Sequence, residues 1–439
     1  MVIISLRHYE CAIIKTPARI EGARKSPANG SKDRQLNHYR IALKLPGSTI
    51  LHLVRKIIRS HQYHAHFKPI LKQDGLNAKK EVPKIMKVAV IGGGIAGAEL
   101  IRAASPCPLE FTLIEPKKQI EMQALYPEYL GGVARLQDLA APLKPFCERV
   151  GAKHIQEKAI ALEGNTVVCE RSRVDFDYVV IATGAAQNYF GIKGVENTFS
   201  INTLEETKKA RRFVEDSYPE RIMIMGSGLT GVEAASILAE SLDASIYIIE
   251  ARERVLPLFS SQTSALVEKA LSKRGVNILT STQVAEVKKD CIMFTDGSCL
   301  DCDMAIWTAG VKPSPFIQDL DLPKKNGWIL VDPNLQAKEN VFAIGDCAWI
   351  EVDGKLATRT GLEAERQAKH LARNLIHLAE GKPMEKYTVR ASTDSQVALI
   401  SLGADCAVGV VGKTCIGVPT RLIYSLKSWI DKSFIKRFK

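Results

Sequence analysis

From residue 86 onward, short apolar runs alternate with longer amphipathic runs along the chain. This alternation predicts a parallel sheet that is covered by helices on both faces. Two of the apolar runs, 88–91 and 222–225, end directly at a glycine cluster, and a helix-like run follows each cluster. Both segments therefore predict a strand–turn–helix unit within an α/β fold.

Both glycine clusters have the G-x-G-x-x-G spacing, and we call residues 92–97 the first fingerprint and residues 226–231 the second fingerprint. Their spaced glycines are Gly92, Gly94 and Gly97 in the first and Gly226, Gly228 and Gly231 in the second. In a dinucleotide site the first glycine permits a tight turn, the second lets the backbone approach a pyrophosphate, and the third lets helix and strand pack closely. One such pattern is weak evidence, whereas two in the same context indicate two bound dinucleotides.

Each fingerprint is followed by a carboxylate at the end of the next predicted strand. Glu115 lies 23 residues after Gly92, and Glu250 lies 24 residues after Gly226. This is close to the offset of the acid that binds a ribose hydroxyl in dinucleotide sites. The alternative is a solvated acid at a strand end, and the repeated offset disfavours it.

The order of the predicted elements places the second nucleotide unit inside the first. The inserted unit extends from 201 to 317, and the chain then returns to an apolar run that ends at 344, followed by a helix near 362–380. Residues 381–439 form a separate C-terminal region. The predicted fold class is thus α/β, with two Rossmann-like dinucleotide-binding domains, one inserted in the other, and a small C-terminal region.

The net charge of +12 is confined to residues 1–85, which hold 17 Lys and Arg residues but only five Asp and Glu residues. The rest of the chain is balanced, so we expect no nucleic-acid partner. For residues 1–85, which we expect to lie outside the fold, three interpretations stay open: translation from an upstream start codon, a targeting segment, or a basic arm with a short amphipathic helix at 51–59. No run of 18 apolar residues predicts a membrane span.

The ten cysteines show no disulfide framework, which favours a reducing compartment. The one C-x-x-C pair, Cys299 and Cys302, lies in a predicted strand, where positions three apart face opposite sides. We therefore interpret that pair as structural. We expect Cys347 to be a small packed residue, and we predict no metal site.

Four motifs together resemble the two-dinucleotide flavoprotein superfamily of pyridine-nucleotide oxidoreductases. They are residues 92–97, Ala182-Thr183-Gly184, residues 226–231 with Glu233, and Phe342-Ala343-Ile344-Gly345-Asp346. Within that superfamily, residues 188–194 and 307–311 look like the corresponding segments of type II NADH dehydrogenases, which are single-chain NADH:quinone oxidoreductases. The resemblance covers residues 86–439.

The resemblance implies FAD on the first fingerprint and NADH on the second. It implies an FAD-binding domain formed by 86–200 and 318–380, an NAD(H)-binding domain at 201–317 and the C-terminal region at 381–439. The implied FAD-binding residues are Gly92, Gly94, Gly97, Glu115, Thr183, Gly184, Gly345 and Asp346. The implied NADH-binding residues are Gly226, Gly228, Gly231 and Glu250, and Gly310 is a further implied cofactor-binding residue. A carboxylate at 250 would repel the 2′-phosphate of NADPH, although Arg252 and Arg254 lie near enough in sequence to keep NADPH open.

Two of these positions have ordinary structural alternatives. Glu233 resembles the family glutamate near the nicotinamide–flavin contact and is the predicted catalytic residue. It could equally be an acid favoured by the dipole at a helix start. Asp346 is expected to bind the FAD ribitol chain, and its alternative role is a helix cap.

The resemblance implies hydride transfer from NADH to FAD and then transfer of two electrons to a quinone-type acceptor. The segment 361–367 departs from the family pattern, because it lacks the first glutamine and has Arg366 at the second unless the register shifts to Gln367. The acceptor therefore stays open. The alternatives are a soluble flavoprotein reductase of a ferredoxin-like protein, a sulfide- or persulfide-linked enzyme using Cys169 or Cys347, and a non-enzymatic NADH sensor similar to apoptosis-inducing factor.

The C-terminal segment 419–439 predicts an amphipathic helix. Its apolar face contains Leu422, Ile423, Leu426, Trp429, Ile430, Phe434 and Phe438, and its basic face contains Arg421, Lys432, Lys436 and Lys439. Such a helix favours a peripheral membrane anchor on the cytoplasmic face of the membrane. If the helix instead packs on its own protein or on a second subunit, we expect a cytoplasmic protein, and a homodimer is left open.

Overall fold

The computed structural model describes residues 85–105 and 107–439. Residues 1–84, which contain nearly all of the expected basic extension and its helix at 51–59, lie outside the described residues.

The first sheet has six strands. In spatial order they are Gln336–Lys338, Val341–Ala343, Tyr178–Ile181, Met86–Ile91, Leu109–Ile114 and Lys153–Ile155. All neighbours are parallel except the first pair, which is antiparallel. The central strand is buried from Val88 to Ile91, as expected for a parallel strand with helices on both faces.

The second sheet has five strands, all parallel. In spatial order they are Phe199–Ser200, Met304–Trp307, Arg221–Met225, Ser245–Ile249 and Asn277–Leu279. Every one of them lies, in sequence, between two strands of the first sheet, Tyr178–Ile181 and Gln336–Lys338. The α/β class with two Rossmann-like sheets is therefore confirmed, while the residue bounds of the domains stay predictions.

The α-helices of the described residues are numbered in chain order. They are α1 (Ile95–Ala104), α2 (Tyr126–Leu130), α3 (Leu136–Leu139), α4 (Leu143–Val150), α5 (Leu204–Ser217), α6 (Leu229–Ser241), α7 (Ser261–Ser272), α8 (Pro315–Gln318), α9 (Gly361–Ala379) and α10 (Arg421–Lys436). Helix α9 packs on α1, because its buried residues Ala364, Ala368, Leu371 and Leu375 form one stripe with helical spacing. Helix α1, which follows the first fingerprint, and helix α9, which comes after Gly345 in sequence, thus stabilise each other.

Smaller strands complete the two units. An antiparallel pair, Ala185–Gln187 with Val311–Pro313, joins the segments that leave the two large sheets. Three-stranded sheets are formed by Ala159–Glu163, Thr166–Cys169 and Arg173–Asp175; by Val284–Val287, Cys291–Phe294 and Cys299–Asp301; by Lys324–Lys325, Trp328–Leu330 and Ala348–Trp349; and by Val397–Ser401, Ala407–Val411 and Thr414–Thr420. The last of these is the C-terminal sheet. Two-stranded ribbons pair Gln119–Glu121 with Ala140–Pro142 and Glu351–Val352 with Lys355–Leu356.

Helix α10 forms where the amphipathic segment was predicted, but its buried face differs from the predicted apolar face. Phe434 and Phe438 are buried, and the Phe438 ring packs edge-on against Phe146 with 5.2 Å between the centroids. Leu422 and Trp429, predicted on the same face, are 68% and 56% exposed. The buried face of α10 includes charged side chains, Lys427 and Asp431, because these side chains have partners inside the protein. None of the helices in the described part of the chain has the length and hydropathy of a membrane span.

Candidate functional site

The first fingerprint forms a tight turn between the strand Met86–Ile91 and helix α1. Gly92 has a φ of +109°, which side chains rarely adopt. A Cβ on Gly97 would overlap the carbonyl oxygen of Gly92, so helix and turn touch here. A Cβ on Gly94 would meet no described atom within 4 Å, and Gly94 is the residue that directly precedes α1. The outer two glycines are thus needed by the protein itself, and the middle one borders open space.

The second fingerprint repeats this geometry at the start of helix α6. Gly226 has a φ of +100°, and a Cβ there would lie 2.8 Å from the Cα atom of Ala309. A Cβ on Gly231 would overlap the carbonyl oxygen of Gly226, and one on Gly228 would meet nothing within 4 Å. Each sheet therefore presents a helix N-terminus behind an uncovered glycine, which is the arrangement that binds a phosphate group.

Glu115, the predicted acid of the first fingerprint, is held beside the glycine turn by backbone hydrogen bonds. Glu115 accepts hydrogen bonds from the backbone N–H of Gly93, at 2.7 Å, and from that of Lys117, at 2.9 Å. A carboxylate held by backbone donors keeps one orientation, and its remaining lone pairs can accept from a ribose hydroxyl. The structure thus brings Glu115 to the glycine turn, as the offset predicts.

The acid of the second fingerprint has matching partners. Glu250 is buried and accepts from the Ser227 N–H, at 3.1 Å, and from the Ser227 hydroxyl, at 2.6 Å. It also accepts from the backbone N–H of Arg252, at 2.9 Å. The guanidinium of Arg254 donates to the carbonyl oxygens of Pro257 and Phe259, so that cation is engaged by its own loop.

A glycine turn from the neighbouring strand lies beside each fingerprint. Gly184 has a φ of +65° and Gly310 a φ of +68°. A Cβ on Gly92 would overlap the carbonyl of Ala182, two residues before Gly184, just as Gly226 lies against Ala309, directly before Gly310. The implied residues thus fall into two groups, one at each sheet.

Gly345 and Asp346 belong to the group at the first sheet. The backbone N–H of Gly345 donates to the side-chain oxygen of Gln367, at 2.7 Å, within the buried interior. Burial raises the pKa of the Asp346 carboxyl, and the nearby positive charge of Arg359 opposes that rise. In the sequence analysis, Gln367 was the alternative to Arg366 for the second glutamine of the family pattern. In the structure, its side-chain oxygen holds the turn at Gly345.

Two polar atoms near this group are buried and have no hydrogen-bond partner among the described residues. They are the hydroxyl oxygen of Thr183 and one terminal nitrogen, Nη2, of Arg359. The Arg359 guanidinium lies 3.9 Å from the Trp328 ring, and its Nε donates to the carbonyl oxygen of Asp346. Buried donors without acceptors are costly, so these two atoms fit a ligand rich in oxygen acceptors. The residues at the first sheet therefore fit FAD, and the space beside Gly94 is open.

The predicted catalytic residue, Glu233, lies in a buried ionic cluster. Its carboxylate accepts from the backbone N–H of Ser401, at 2.9 Å, and lies 3.5 Å from the Nζ of Lys427. The same Nζ lies 3.1 Å from Glu128 and 3.3 Å from Asp431. We call Glu128, Glu233, Lys427 and Asp431 the buried charge cluster; it joins α2, α6 and α10.

In this cluster one cation lies beside three carboxylates, and burial together with these charges shifts the pKa values of Glu233 and Lys427. Burial raises the pKa of Glu233 to about 7, with the charges of Glu128 and Asp431 adding to the rise and Lys427 opposing it. The three surrounding carboxylates raise the pKa of Lys427 well above its usual value despite its burial. Lys427 therefore keeps its charge at neutral pH, while the Glu233 carboxyl group, with its raised pKa, takes up a proton more readily than an exposed glutamate.

The cluster shows which residues the sequence analysis missed. Neither Glu128 nor Lys427 was singled out, and Ser401, which donates its hydroxyl to Glu128 at 3.0 Å, was not either. The available signal was the spacing of four between Lys427 and Asp431, which places both on one side of a helix. That spacing is usual on exposed helices as well, so it does not reveal burial.

The cysteines of the described residues are all free thiols. Cys347 is fully buried, its thiol donates to the carbonyl oxygens of Ile181 and Ile344, and burial raises its pKa to about 12. Burial also raises the pKa of Cys169. Cys299 is exposed and Cys302 is buried, as the predicted opposite faces require. Thiols with raised pKa values are poor nucleophiles at neutral pH.

Comparison with known proteins places the chain among enzymes with this geometry. Residues 86–371 match the family model described as "Pyridine nucleotide-disulphide oxidoreductase". The match includes both fingerprints, Gly310 and Asp346.

Curated relatives and solved structures agree with the family match. The type II NADH:quinone oxidoreductase of Staphylococcus epidermidis is 26% identical over 389 residues, which cover 77% of this chain and 96% of that protein. The structure of Plasmodium falciparum NDH2 in complex with NADH has a TM-score of 0.67 at 18% identity, covering 81% of this chain and 98% of that one. The Aquifex aeolicus sulfide:quinone oxidoreductase has a TM-score of 0.70 at 20% identity, covering 80% and 91%. At these identities the two structures establish the fold.

Proposed function

Since the chain belongs to the pyridine nucleotide-disulphide oxidoreductase family and is an FAD- and NAD(H)-dependent oxidoreductase, we propose that it passes two electrons from NADH to a quinone-type acceptor. The observation that carries this proposal is the repeated site geometry. Two uncovered helix N-termini, each with a fixed carboxylate beside it, suit two dinucleotides.

The residues at the first sheet would hold FAD. Gly92, Gly94 and Gly97 would shape the pyrophosphate site, Glu115 would accept from the adenosine ribose, and Thr183, Gly184, Gly345 and Asp346 would contact the flavin half. FAD supplies the ring that accepts a hydride and stores two electrons. The protein contributes alignment of the two dinucleotides and exclusion of water.

The residues at the second sheet would hold NADH, with Gly226, Gly228 and Gly231 at the pyrophosphate, Glu250 at the ribose and Gly310 toward the nicotinamide. For Glu233 we propose a role in charge balance. A carboxyl group with a pKa of about 7 can hold or release a proton at neutral pH. In the buried charge cluster, the Glu233 carboxyl group that would hold this proton lies 3.5 Å from the Nζ of Lys427.

The quinone-type acceptor is supported by the curated relatives, which include several type II NADH:quinone oxidoreductases. The sulfide- or persulfide-linked alternative is disfavoured by the raised thiol pKa values of Cys169 and Cys347. The test is anaerobic: the NADH-reduced holoenzyme is mixed with a short-chain quinone. Reoxidation within the turnover time supports the proposal, and a flavin that stays reduced contradicts it.

The Glu250→Gln variant is expected to lose most of its preference for NADH over NADPH. The wild-type carboxylate would repel a 2′-phosphate, whereas an amide is neutral and can donate to it. We expect the ratio of kcat/KM for the two coenzymes to fall about tenfold, a change of about 1.4 kcal/mol. Steady-state kinetics with both coenzymes measures this ratio.

Glu115→Gln is the matched control, because Glu115 holds the equivalent position at the first fingerprint. It should weaken FAD binding and leave the coenzyme ratio unchanged. A Glu250→Gln variant with the wild-type ratio would show that Glu250 does not contact the ribose.

We further propose that α10 contacts the cytoplasmic face of a membrane through its exposed apolar side chains. Leu422 and Trp429 are exposed, and the basic residues Arg421 and Lys436 are exposed on the same helix. An apolar edge with basic neighbours suits an anionic interface. The double variant Leu422→Ser/Trp429→Ser is expected to partition about tenfold less onto anionic vesicles, since two large apolar groups no longer enter the lipid.

Flotation of the holoenzyme with vesicles measures this partitioning. Tyr218→Ser is the control, because Tyr218 is 81% exposed but lies at the end of α5. Equal flotation of the double variant and the wild type would refute the membrane contact.

A further inference from the structure

Two adjacent aromatic residues, Tyr189 and Phe190, differ in their surroundings on the segment that leads to the second sheet. The Tyr189 ring packs against Trp307 of that sheet, with 5.6 Å between the ring centroids. The Phe190 ring is 62% exposed. The Phe190 side chain is therefore accessible to solvent.

The backbone holds Phe190 in this orientation. Its φ of +51° lies in the left-handed region, which is uncommon for a bulky residue. The Phe190 N–H donates to the side-chain oxygen of Asn188, at 3.0 Å. The carbonyl of Asn188 in turn accepts from the indole N–H of Trp307, at 2.9 Å. Strain that the surroundings enforce in this way is characteristic of functional sites.

The Phe190 ring lies against Gly310. A Cβ on Gly310 would meet the end of the Phe190 ring, and the φ of +68° at Gly310 is a conformation that favours glycine. Gly310 follows Ala309, and Ala309 lies against Gly226, the first glycine of the second fingerprint. Through Gly310 and Ala309 the exposed ring is therefore connected to the first glycine of the second fingerprint.

The strand order assigns Phe190 to one end of a bound dinucleotide. The central strand Arg221–Met225 lies between Ser245–Ile249, which leads to Glu250, and Met304–Trp307, which leads to Gly310. Glu250 and Phe190 are thus on opposite sides of the fingerprint turn. If the adenosine ribose lies at Glu250 and the pyrophosphate at Gly228, the chain of the dinucleotide continues toward Phe190.

We propose that Phe190 is a positioning residue whose ring packs on the nicotinamide ring of NAD(H). This inference rests on the proposed function, since it assumes NAD(H) at the second fingerprint. Stacking on an aromatic side chain would hold the nicotinamide in place, while the fingerprint and Glu250 hold the rest of the dinucleotide.

The test compares two ligands on the FAD-loaded holoenzyme by calorimetry: NAD⁺, and ADP-ribose, which lacks the nicotinamide ring. Phe190→Ala is expected to weaken NAD⁺ binding about tenfold and to leave ADP-ribose binding unchanged. Phe190→Tyr should bind both ligands like the wild type. Tyr218→Ala is the matched control, because Tyr218 is also an exposed aromatic residue with a positive φ, +47°, and should change neither affinity.

Equal weakening of both ligands, or unchanged NAD⁺ affinity, would overturn the inference. Phe190→Leu, which keeps an apolar side chain of similar bulk, provides the same comparison if the alanine variant fails to fold. A wild-type enzyme that binds neither ligand would overturn the proposed function itself. A wild-type enzyme that binds both, with no selective effect at Phe190, would overturn only the assignment of this ring.

Discussion

The Gly231→Ala variant is expected to retain FAD and to lose NADH affinity by about 100-fold, or about 2.7 kcal/mol. The added methyl group would overlap the carbonyl oxygen of Gly226 and lie 2.8 Å from the Thr308 hydroxyl. Both neighbours belong to the turn and the adjacent strand, so the helix N-terminus must move away from the proposed pyrophosphate site. FAD stays bound because its proposed site lies at the first sheet.

Gly228→Ala separates ligand contact from folding. No described atom lies within 4 Å of a Cβ at Gly228, so this methyl group disturbs nothing in the protein. It enters only the space proposed for the pyrophosphate. We expect both variants to bind NADH weakly, but only Gly231→Ala to lose thermal stability.

Calorimetric titration with NAD⁺, which carries the same pyrophosphate and cannot reduce the flavin, measures coenzyme affinity, and thermal unfolding of the holoenzyme measures stability. A Gly228→Ala variant with wild-type NADH affinity would show that the open space is not the coenzyme site. The pair Gly97→Ala and Gly94→Ala makes the same comparison for FAD.

Replacing Lys427 by methionine is expected to lower the free energy of unfolding by about 3–5 kcal/mol at pH 8. Lys427 is the only cation within salt-bridge distance of Glu233 and Glu128 among the described residues. Removing it leaves buried carboxylates without a compensating charge, which is a costly change in a protein interior. Denaturant unfolding of the FAD-loaded protein measures the difference.

The loss at Lys427→Met should be larger at pH 8 than at pH 6. Burial raises the pKa of Glu233 from its ordinary 4.5 to about 7, so the folded protein binds this proton more tightly than the unfolded chain. The associated stability is full below pH 4.5 and is lost as the pH rises through 7. Without Lys427 the pKa of Glu233 rises further. At pH 6 more of the variant therefore has a neutral Glu233, which avoids the cost of a buried and unpaired charge.

Lys436→Met is the control, because Lys436 lies on the same helix and is exposed. It should change the unfolding free energy by less than about 0.5 kcal/mol. A Lys427→Met variant as stable as this control at pH 8 would show that the buried charge cluster does not hold α10 in place.

The nucleotide turns were predictable because each depends on residues close together in sequence. A glycine that needs a positive φ, such as Gly92, and an acid at a fixed offset, such as Glu115, are local signals. The fold class followed from the same signals and from the alternation of apolar runs. Both sheets formed around the strands that precede the fingerprints.

The buried charge cluster could not be predicted in the same way. Glu128 and Lys427 are about 300 residues apart in sequence and meet only because α2, α6 and α10 pack together. The apolar face predicted for α10 was partly wrong for the same reason, since Lys427 and Asp431 are buried with their ionic partners while Leu422 and Trp429 are exposed. Gln367 shows a related limit: the sequence left the acceptor open at this segment, and it did not show that the Gln367 side-chain oxygen accepts from the backbone N–H of Gly345.

The most direct test of the account is anaerobic titration of the purified protein with NADH, followed by its visible absorbance. We expect a yellow protein whose flavin band is bleached by about one equivalent of NADH and returns when a short-chain quinone is added. A colourless protein that cannot be reconstituted with FAD, or a bound flavin that NADH does not reduce, would contradict it.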